Sequence, residues 1–276
     1  MTAIVGLTHL DGVLMMADTE ETVTLSTKSE CQKLYRFVFL DGTVVTGGAG
    51  TSHLIDYANQ QLHQFFITGG CQNPDKKSTP EELLAGLNSF ARRFFREVIG
   101  PYRGFDASLV PGFDMLLALN YNKQTRLFRW SGNTVVWVPR HDVVGSGNMQ
   151  IDPMLQDIDF EAPEETTFFL GTRMMFYAKR IVQGVGGKTI AISLLHDGAS
   201  HYFGLDAAKK TEDLVVNFEQ FLHKFVYTSV SNISLKVKNL DKNVADSFAQ
   251  IPSELHAYRE SYRTIVSPPK ILPTED

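Results

Sequence analysis

Residues 2–19 read TAIVGLTHLDGVLMMADT, two short apolar runs on either side of Asp11-Gly12. Ala3 to Leu7 and Val13 to Ala17 are patterned as strands. Asp-Gly between two such runs is a strong hairpin signal, because both positions tolerate positive φ. The chain therefore opens as an antiparallel β pair. The plan recurs at Leu34 to Leu40, Asp41-Gly42 and Thr43 to Thr46, and again at Thr189 to Leu195, Asp197-Gly198 and Tyr202 to Leu205. Thr2 follows Met1 and is small, so the sequence permits a methionine aminopeptidase to remove Met1 and leave a threonine with a free amine.

Helical patterns separate these hairpins. Gly47-Gly48-Ala49-Gly50 forms a glycine-rich turn, and Leu54, Ala58, Leu62 and Phe65 then recur at helical spacing, which predicts a helix over 51–66. Thr79, Pro80 and Glu82 form a helix start: a cap, a first-turn proline and the return half of a capping box. Leu83, Leu87, Phe90, Ala91, Phe94 and Val98 make its apolar face, and Gly100-Pro101 is expected to stop it. Residues 73–77 and 102–112 read as loops. Strands are expected over 114–119, 126–130 and 134–138, then a tight turn at Gly145-Ser146-Gly147. Residues 148–165, broken by Pro153 and Pro163, show no clear period. Helices are predicted over 172–183 and 211–226. The pattern alone gives an α+β fold with several hairpins. Past about residue 228 the chain turns more polar, so we expect a domain over 1–228 and an extension over 229–276, packed on it and ending in a loose proline-containing tail.

Composition narrows the functional classes. The chain has 276 residues, 43% hydrophobic and 21% charged, with a net charge of -5. That balance gives no basic face for nucleic acid. No stretch approaches the roughly 20 apolar residues of a membrane helix. The first residues lack the basic lead-in of a secretory signal, so the cytoplasm is the expected compartment. Two cysteines, Cys31 and Cys71, are too few for a disulfide framework. His196 and His201 flank the third hairpin without an accompanying cysteine or carboxylate cluster, so no metal is expected. No cofactor is expected either; Met15-Met16 and Met174-Met175 read as core.

A hydroxyl nucleophile needs a base. No Gly-x-Ser-x-Gly elbow is present, and the eight histidines are scattered. A processed N-terminal threonine carries its own base, because an α-amine has a pKa near 8. A nearby lysine would help keep that amine neutral, a carboxylate would fix the lysine, and a backbone N–H at a glycine-rich bend would stabilise an oxyanion.

Thr2-Ala3-Ile4-Val5-Gly6, Asp11-Gly12-Val13, Ala17-Asp18-Thr19, Lys33-Leu34, Gly47-Gly48-Ala49-Gly50, Gly145-Ser146-Gly147 and Asp197-Gly198-Ala199-Ser200 occur in this order over roughly the first 200 residues. Together they resemble the proteasome β-type subunits, the bacterial proteolytic subunit HslV and the Anbu group. The resemblance implies a four-layer αββα sandwich and a threonine-type endopeptidase acting through an ester on Thr2. It implies that Asp18 orients Lys33, that Lys33 tunes the Thr2 amine, and that the N–H of Gly47 lines an oxyanion hole. Ser146, Asp197 and Ser200 would form the hydrogen-bond network around Thr2. Thr22 and Ala49 would bind a polypeptide substrate as an added strand, with Cys31 and Val45 near a pocket leaning towards apolar side chains. A homo-oligomeric ring or helical array and an ATP-driven unfoldase are the implied partners. Glu20 stands where the family commonly has arginine, and the Asp18–Lys33 spacing is one residue shorter. Two other classes use the same residues: an amidohydrolase acting on a small amide, and a non-catalytic structural subunit of the same fold.

Overall fold

The computed structural model describes residues 2–22, 28–39, 42–68, 79–103, 112–156, 161–233 and 270–271. The loop expected at 73–77, the turn residue Asp41, Cys71, most of the loop at 102–112 and most of the extension at 229–276 lie outside the described residues.

Two antiparallel sheets carry the fold. The first has the order β10-β1-β2-β11-β12-β13. It contains β1 (Ala3–His9), β2 (Gly12–Asp18), β10 (His141–Gly145), β11 (Thr189–Leu195), β12 (Ser200–Phe203) and the short β13 (Lys270–Ile271). The second has the order β5-β6-β7-β8-β9, from β5 (Leu34–Phe39), β6 (Gly42–Gly50), β7 (Phe113–Tyr121), β8 (Gln124–Ser131) and β9 (Thr134–Val138). A small ribbon pairs β3 (Glu20–Thr22) with β4 (Lys28–Glu30).

Three apolar clusters join these elements. Alternation along β1 and β2 sends Val5, Leu7, Leu14 and Met16 to one face and Ile4, Val13, Met15 and Ala17 to the other. The first face packs against α4 (Asn148–Leu155) and α5 (Glu164–Ile181) through Ile151, Phe168 and Met175. The second meets Leu34, Val45, Leu116 and Leu127 of the other sheet. That sheet's remaining face, with Val44, Met115 and Trp130, packs against α1 (Ser52–Ile67) and α2 (Pro80–Phe94). Trp130 lies edge-on to Phe90, Phe94 and Phe113, with ring centroids at 5.4, 5.1 and 4.7 Å. Behind the first sheet, α6 (Leu205–Ile233) is tied to α5 and β11 by Glu212, which accepts from Lys179 Nζ at 2.6 Å and from Thr189 Oγ1 at 2.9 Å.

Several local expectations change. The α2 capping box is present, with Thr79 and Glu82 each bonding the other's backbone N–H. Gly100-Pro101 does not stop that helix. A π-helical stretch, Phe95–Ile99, carries it into α3 (Gly100–Arg103), and the Gly100 N–H donates to the Phe95 carbonyl. Widening the turn one residue before the proline shifts the ladder where Pro101 has no N–H to give. The first hairpin turns at Leu10 and Asp11, and Gly12 is already strand, opposite His9. Glycine is needed there for close approach, since a Cβ on Gly12 would lie 2.1 Å from the Leu194 carbonyl oxygen. The helix read over 172–183 begins earlier, at Glu164, and α6 runs through the boundary expected near 228. Among the described residues no helix is long and apolar enough to cross a membrane.

Candidate active site

The pairing of Ile4 with Ala17 and of Ala3 with Gly145 brings the start of β1 beside the end of β2 and the end of β10. Asp18, the last residue of β2, is fully buried there. Its Oδ1 accepts the Ala3 N–H at 2.8 Å, and its Oδ2 accepts the Gly186 N–H at 3.2 Å. Lys33 Nζ lies 3.0 Å from both carboxylate oxygens and also donates to the Glu20 carbonyl. A buried charge is tolerated only when it is paired and its remaining hydrogen-bonding capacity is used. Asp18 meets that condition with one ammonium and two backbone N–H groups. It thereby ties the chain next to Thr2 to Lys33.

The β10 turn holds Thr2 from the other side. Ser146 Oγ accepts the Thr2 N–H at 3.2 Å and donates to the Thr2 carbonyl at 3.3 Å. Gly145 has φ +98°, and a Cβ on it would lie 2.1 Å from the Thr2 carbonyl oxygen. Only glycine lets the two backbones meet this closely.

Thr2, Lys33 and Ser146 open onto one cleft of about 670 Å³. Its far wall is the end of β6. The β5–β6 ladder stops at the rung Leu34↔Gly47, whereas the β6–β7 ladder continues to Gly50↔Phe113. Gly48, Ala49 and Gly50 therefore pair on one side alone and line the cleft with the other. A strand edge of this kind accepts an extended peptide through backbone hydrogen bonds.

The structure gathers Thr2, Asp18, Lys33 and Ser146, with Ala49 and Cys31 in the cleft wall. Cys31 is half-buried; burial first, and the negative charge of Glu21 after it, push its thiol up, against the larger opposing pull of Lys33. Four residues are not brought into that wall as expected. Gly47 occupies the last shared rung, and a Cβ on it would meet Leu34 and Ile4 in the layer between the sheets. Val45 is fully buried in that same layer, because strand alternation turns it away from the cleft.

Asp197 and Ser200 sit at the opposite end of the sheet. β11 meets Asp18 at Thr189 and Gly12 at Leu195. Six residues of strand separate those rungs, about 20 Å. Asp197 Oδ1 accepts the Ala199 N–H of its own turn at 2.8 Å. The segment beside Asp18 is instead 182–188: Lys188 exchanges hydrogen bonds with Thr19, and Gly186 with Asp18 and Glu20. Its residues, Val182 to Lys188, include no hydroxyl and no carboxylate. The side chain of Thr22 lies outside the described residues.

Sequence reading missed Tyr35, Asp56 and Glu21, which also line the cleft. Tyr35 OH donates to Asp56 Oδ1 at 3.0 Å, and burial followed by this bond pushes its phenol up to about 12. A signal existed: Tyr35 lies two strand residues after Lys33, and Asp56 one helical turn after Ser52. His196 and His201 are engaged elsewhere. His196 Nδ1 accepts the Thr125 N–H at 3.1 Å, and His201 pairs with Glu164 at 3.0 Å. No group of three or more His, Cys, Asp or Glu that could hold a metal occurs among the described residues.

The fold is similar to that of Anbu, the ancestral β-subunit, from Yersinia bercovieri. The TM-score is 0.64 at 15% identity, over 85% of this chain and 97% of that one. It is similar also to the Anbu complex from Pseudomonas aeruginosa, a helical assembly (0.62, 14%, 82% and 96%), and to Anbu from Hyphomicrobium sp. strain MC1 (0.59, 12%, 80% and 97%). At these identities the likeness establishes a shared fold. No family model and no curated protein matches the chain.

Proposed function

We propose that the chain is a threonine-type endopeptidase with a four-layer αββα fold, cutting peptide bonds through Thr2 once Met1 is removed. One observation carries this reading: the buried Asp18 carboxylate binds the Ala3 N–H and the Lys33 ammonium together, beside a cleft that Thr2 lines. Loss of Met1 turns the nitrogen now bonded to Ser146 into an amine, whose ordinary pKa near 8 suits a base at neutral pH. The amine takes the Oγ1 proton, directly or through a water. Oγ1 then forms a bond to the substrate carbonyl carbon. The C–N bond breaks as the proton passes to the leaving amine, and water hydrolyses the Thr2 ester. Lys33, fixed by Asp18, supplies the positive charge that keeps the Thr2 amine neutral.

The uncovered edge of Gly48–Gly50 would bind the substrate backbone, and an N–H of this bend, with Gly48 on the cleft, would face the oxyanion. The helical assembly of the Pseudomonas aeruginosa Anbu complex supports a homo-oligomer. Such an assembly, with its sites facing an inner chamber, would draw on an ATP-driven unfoldase for folded substrates. Intact-mass analysis with a fluorogenic peptide assay on wild type and Thr2→Ala tests the reading. We expect Met1 to be absent and cleavage to vanish in the variant. Equal cleavage by both proteins refutes Thr2 as nucleophile.

A second reading is a non-catalytic subunit of the same fold. It is favoured by the segment 182–188, which brings no hydroxyl or carboxylate beside Asp18. Retention of Met1 on the mature chain would decide for it.

A further inference from the structure

The charges lining the cleft do not balance. Among the described residues, Glu21, Asp56 and Asp114 are its carboxylates, and Lys33 and Arg129 its cations. Both cations are committed. Lys33 is held by the buried Asp18 at 3.0 Å. Arg129 reaches Asp142 with Nη1 at 3.1 Å and Asp114 with Nη2 at 3.5 Å. Among the described residues, Glu21 and Asp56 have no cationic partner in the cleft wall. Asp56 accepts a hydrogen bond from the neutral Tyr35 hydroxyl at 3.0 Å, and Glu21 shares the cleft lining with the neutral Cys31 thiol. Glu21, Asp56 and Tyr35 all line this one cleft. A neutral donor satisfies one lone pair and leaves the negative charge in place.

We propose that the cleft selects a lysine or arginine side chain on the residue whose carbonyl Thr2 attacks. The inference rests on Thr2 as nucleophile and replaces the apolar preference expected from sequence, since Val45 is buried away from the cleft. Glu21 and Asp56 are the specificity residues. Tyr35 orients Asp56, and the ammonium or guanidinium of the substrate supplies the missing positive charge. Charge-assisted hydrogen bonds of this kind are about twice as strong as neutral ones.

The test uses fluorogenic peptides that differ only at the residue before the reporter: arginine, its neutral isostere citrulline, leucine or glutamate. The expected kcat/KM for arginine exceeds that for citrulline by about tenfold, with glutamate poorest, and added salt narrows the gap. Asp56→Asn keeps an oxygen for Tyr35, and Glu21→Gln removes only the charge. Each should lower the arginine-to-citrulline ratio severalfold, and the double variant should bring it near one. Because the readout is a ratio, a partly unfolded variant moves both substrates together and leaves it unchanged. Anisotropy titration of the Thr2→Ala protein with the uncleaved arginine and citrulline peptides gives the same ratio without turnover. A wild-type ratio near one, or a ratio the double variant does not alter, overturns the selectivity even where Thr2→Ala abolishes cleavage. Cleavage that survives Thr2→Ala overturns the nucleophile instead, so the two failures are distinct.

Discussion

Replacing Lys33 with methionine should expose how much of the fold hangs on the Asp18 pair. The substitution keeps an unbranched apolar stem and deletes only the ammonium. Asp18 is fully buried and Lys33 is 6% exposed, so water does not replace the lost partner. The carboxylate would keep the N–H groups of Ala3 at 2.8 Å and Gly186 at 3.2 Å and no cation. Removing one member of a buried pair costs about 3–5 kcal/mol. In a chain of this size that lowers the melting temperature by roughly 10 °C. Asp18→Asn in the Lys33→Met background removes the stranded charge, so the double variant should recover about 2 kcal/mol relative to the sum of the single losses. Urea denaturation of the four proteins, followed by circular dichroism, measures the cycle. Strict additivity, or a Lys33→Met loss under about 1 kcal/mol, would show that the two side chains do not form a buried, coupled pair.

Three further expectations are independent of that cycle. Gly145→Ala places a methyl 2.1 Å from the Thr2 carbonyl oxygen at φ +98°, so it should cost more than about 1 kcal/mol and abolish peptide cleavage; a stable, active variant would contradict the close approach. Asp197→Ala should cost about 1 kcal/mol through its lost turn bond and leave cleavage within about twofold, and a large drop in turnover would return Asp197 to the catalytic set. His9 is held neutral by burial, with its pKa lowered to about 4. The unfolded chain takes up that proton near pH 6.5 and the folded chain does not, so stability falls with pH over this window by about 3 kcal/mol. Melting curves between pH 7 and 4.5 should show the loss, and His9→Gln, a non-titrating substitute, should flatten it.

The parts of the fold legible in the sequence were those set by local chemistry. Thr79 and Glu82 announced a helix start because a capping box is completed within four residues. The apolar runs before and after Asp11 gave β1 and β2 for the same reason. What escaped was set by neighbours distant in sequence. Gly12 reads as a turn residue, but its partner is the Leu194 backbone across the sheet. Asn122 and Lys123 make a true positive-φ hairpin turn, at 52° and 60°, without any glycine to mark it. In the site, Thr2, Asp18, Lys33 and Ser146 were findable from their order. Asp197-Gly198-Ala199-Ser200 misled because a turn motif carries no label for which end of the sheet it closes. Spacing alone could put Tyr35 and Asp56 on the right faces, but their contact needed β5 and α1 placed side by side.

The contact between Gly145 and the Thr2 carbonyl bears on how this protein can drift over generations. At most surface turns a substitution is absorbed by small local shifts. Here the nearest atoms belong to the residue proposed to do the chemistry, so a side chain gained at position 145 presses directly on Thr2. Saturation mutagenesis selected for cleavage should therefore return a single amino acid at that codon, while the codon for Asp197 wanders freely.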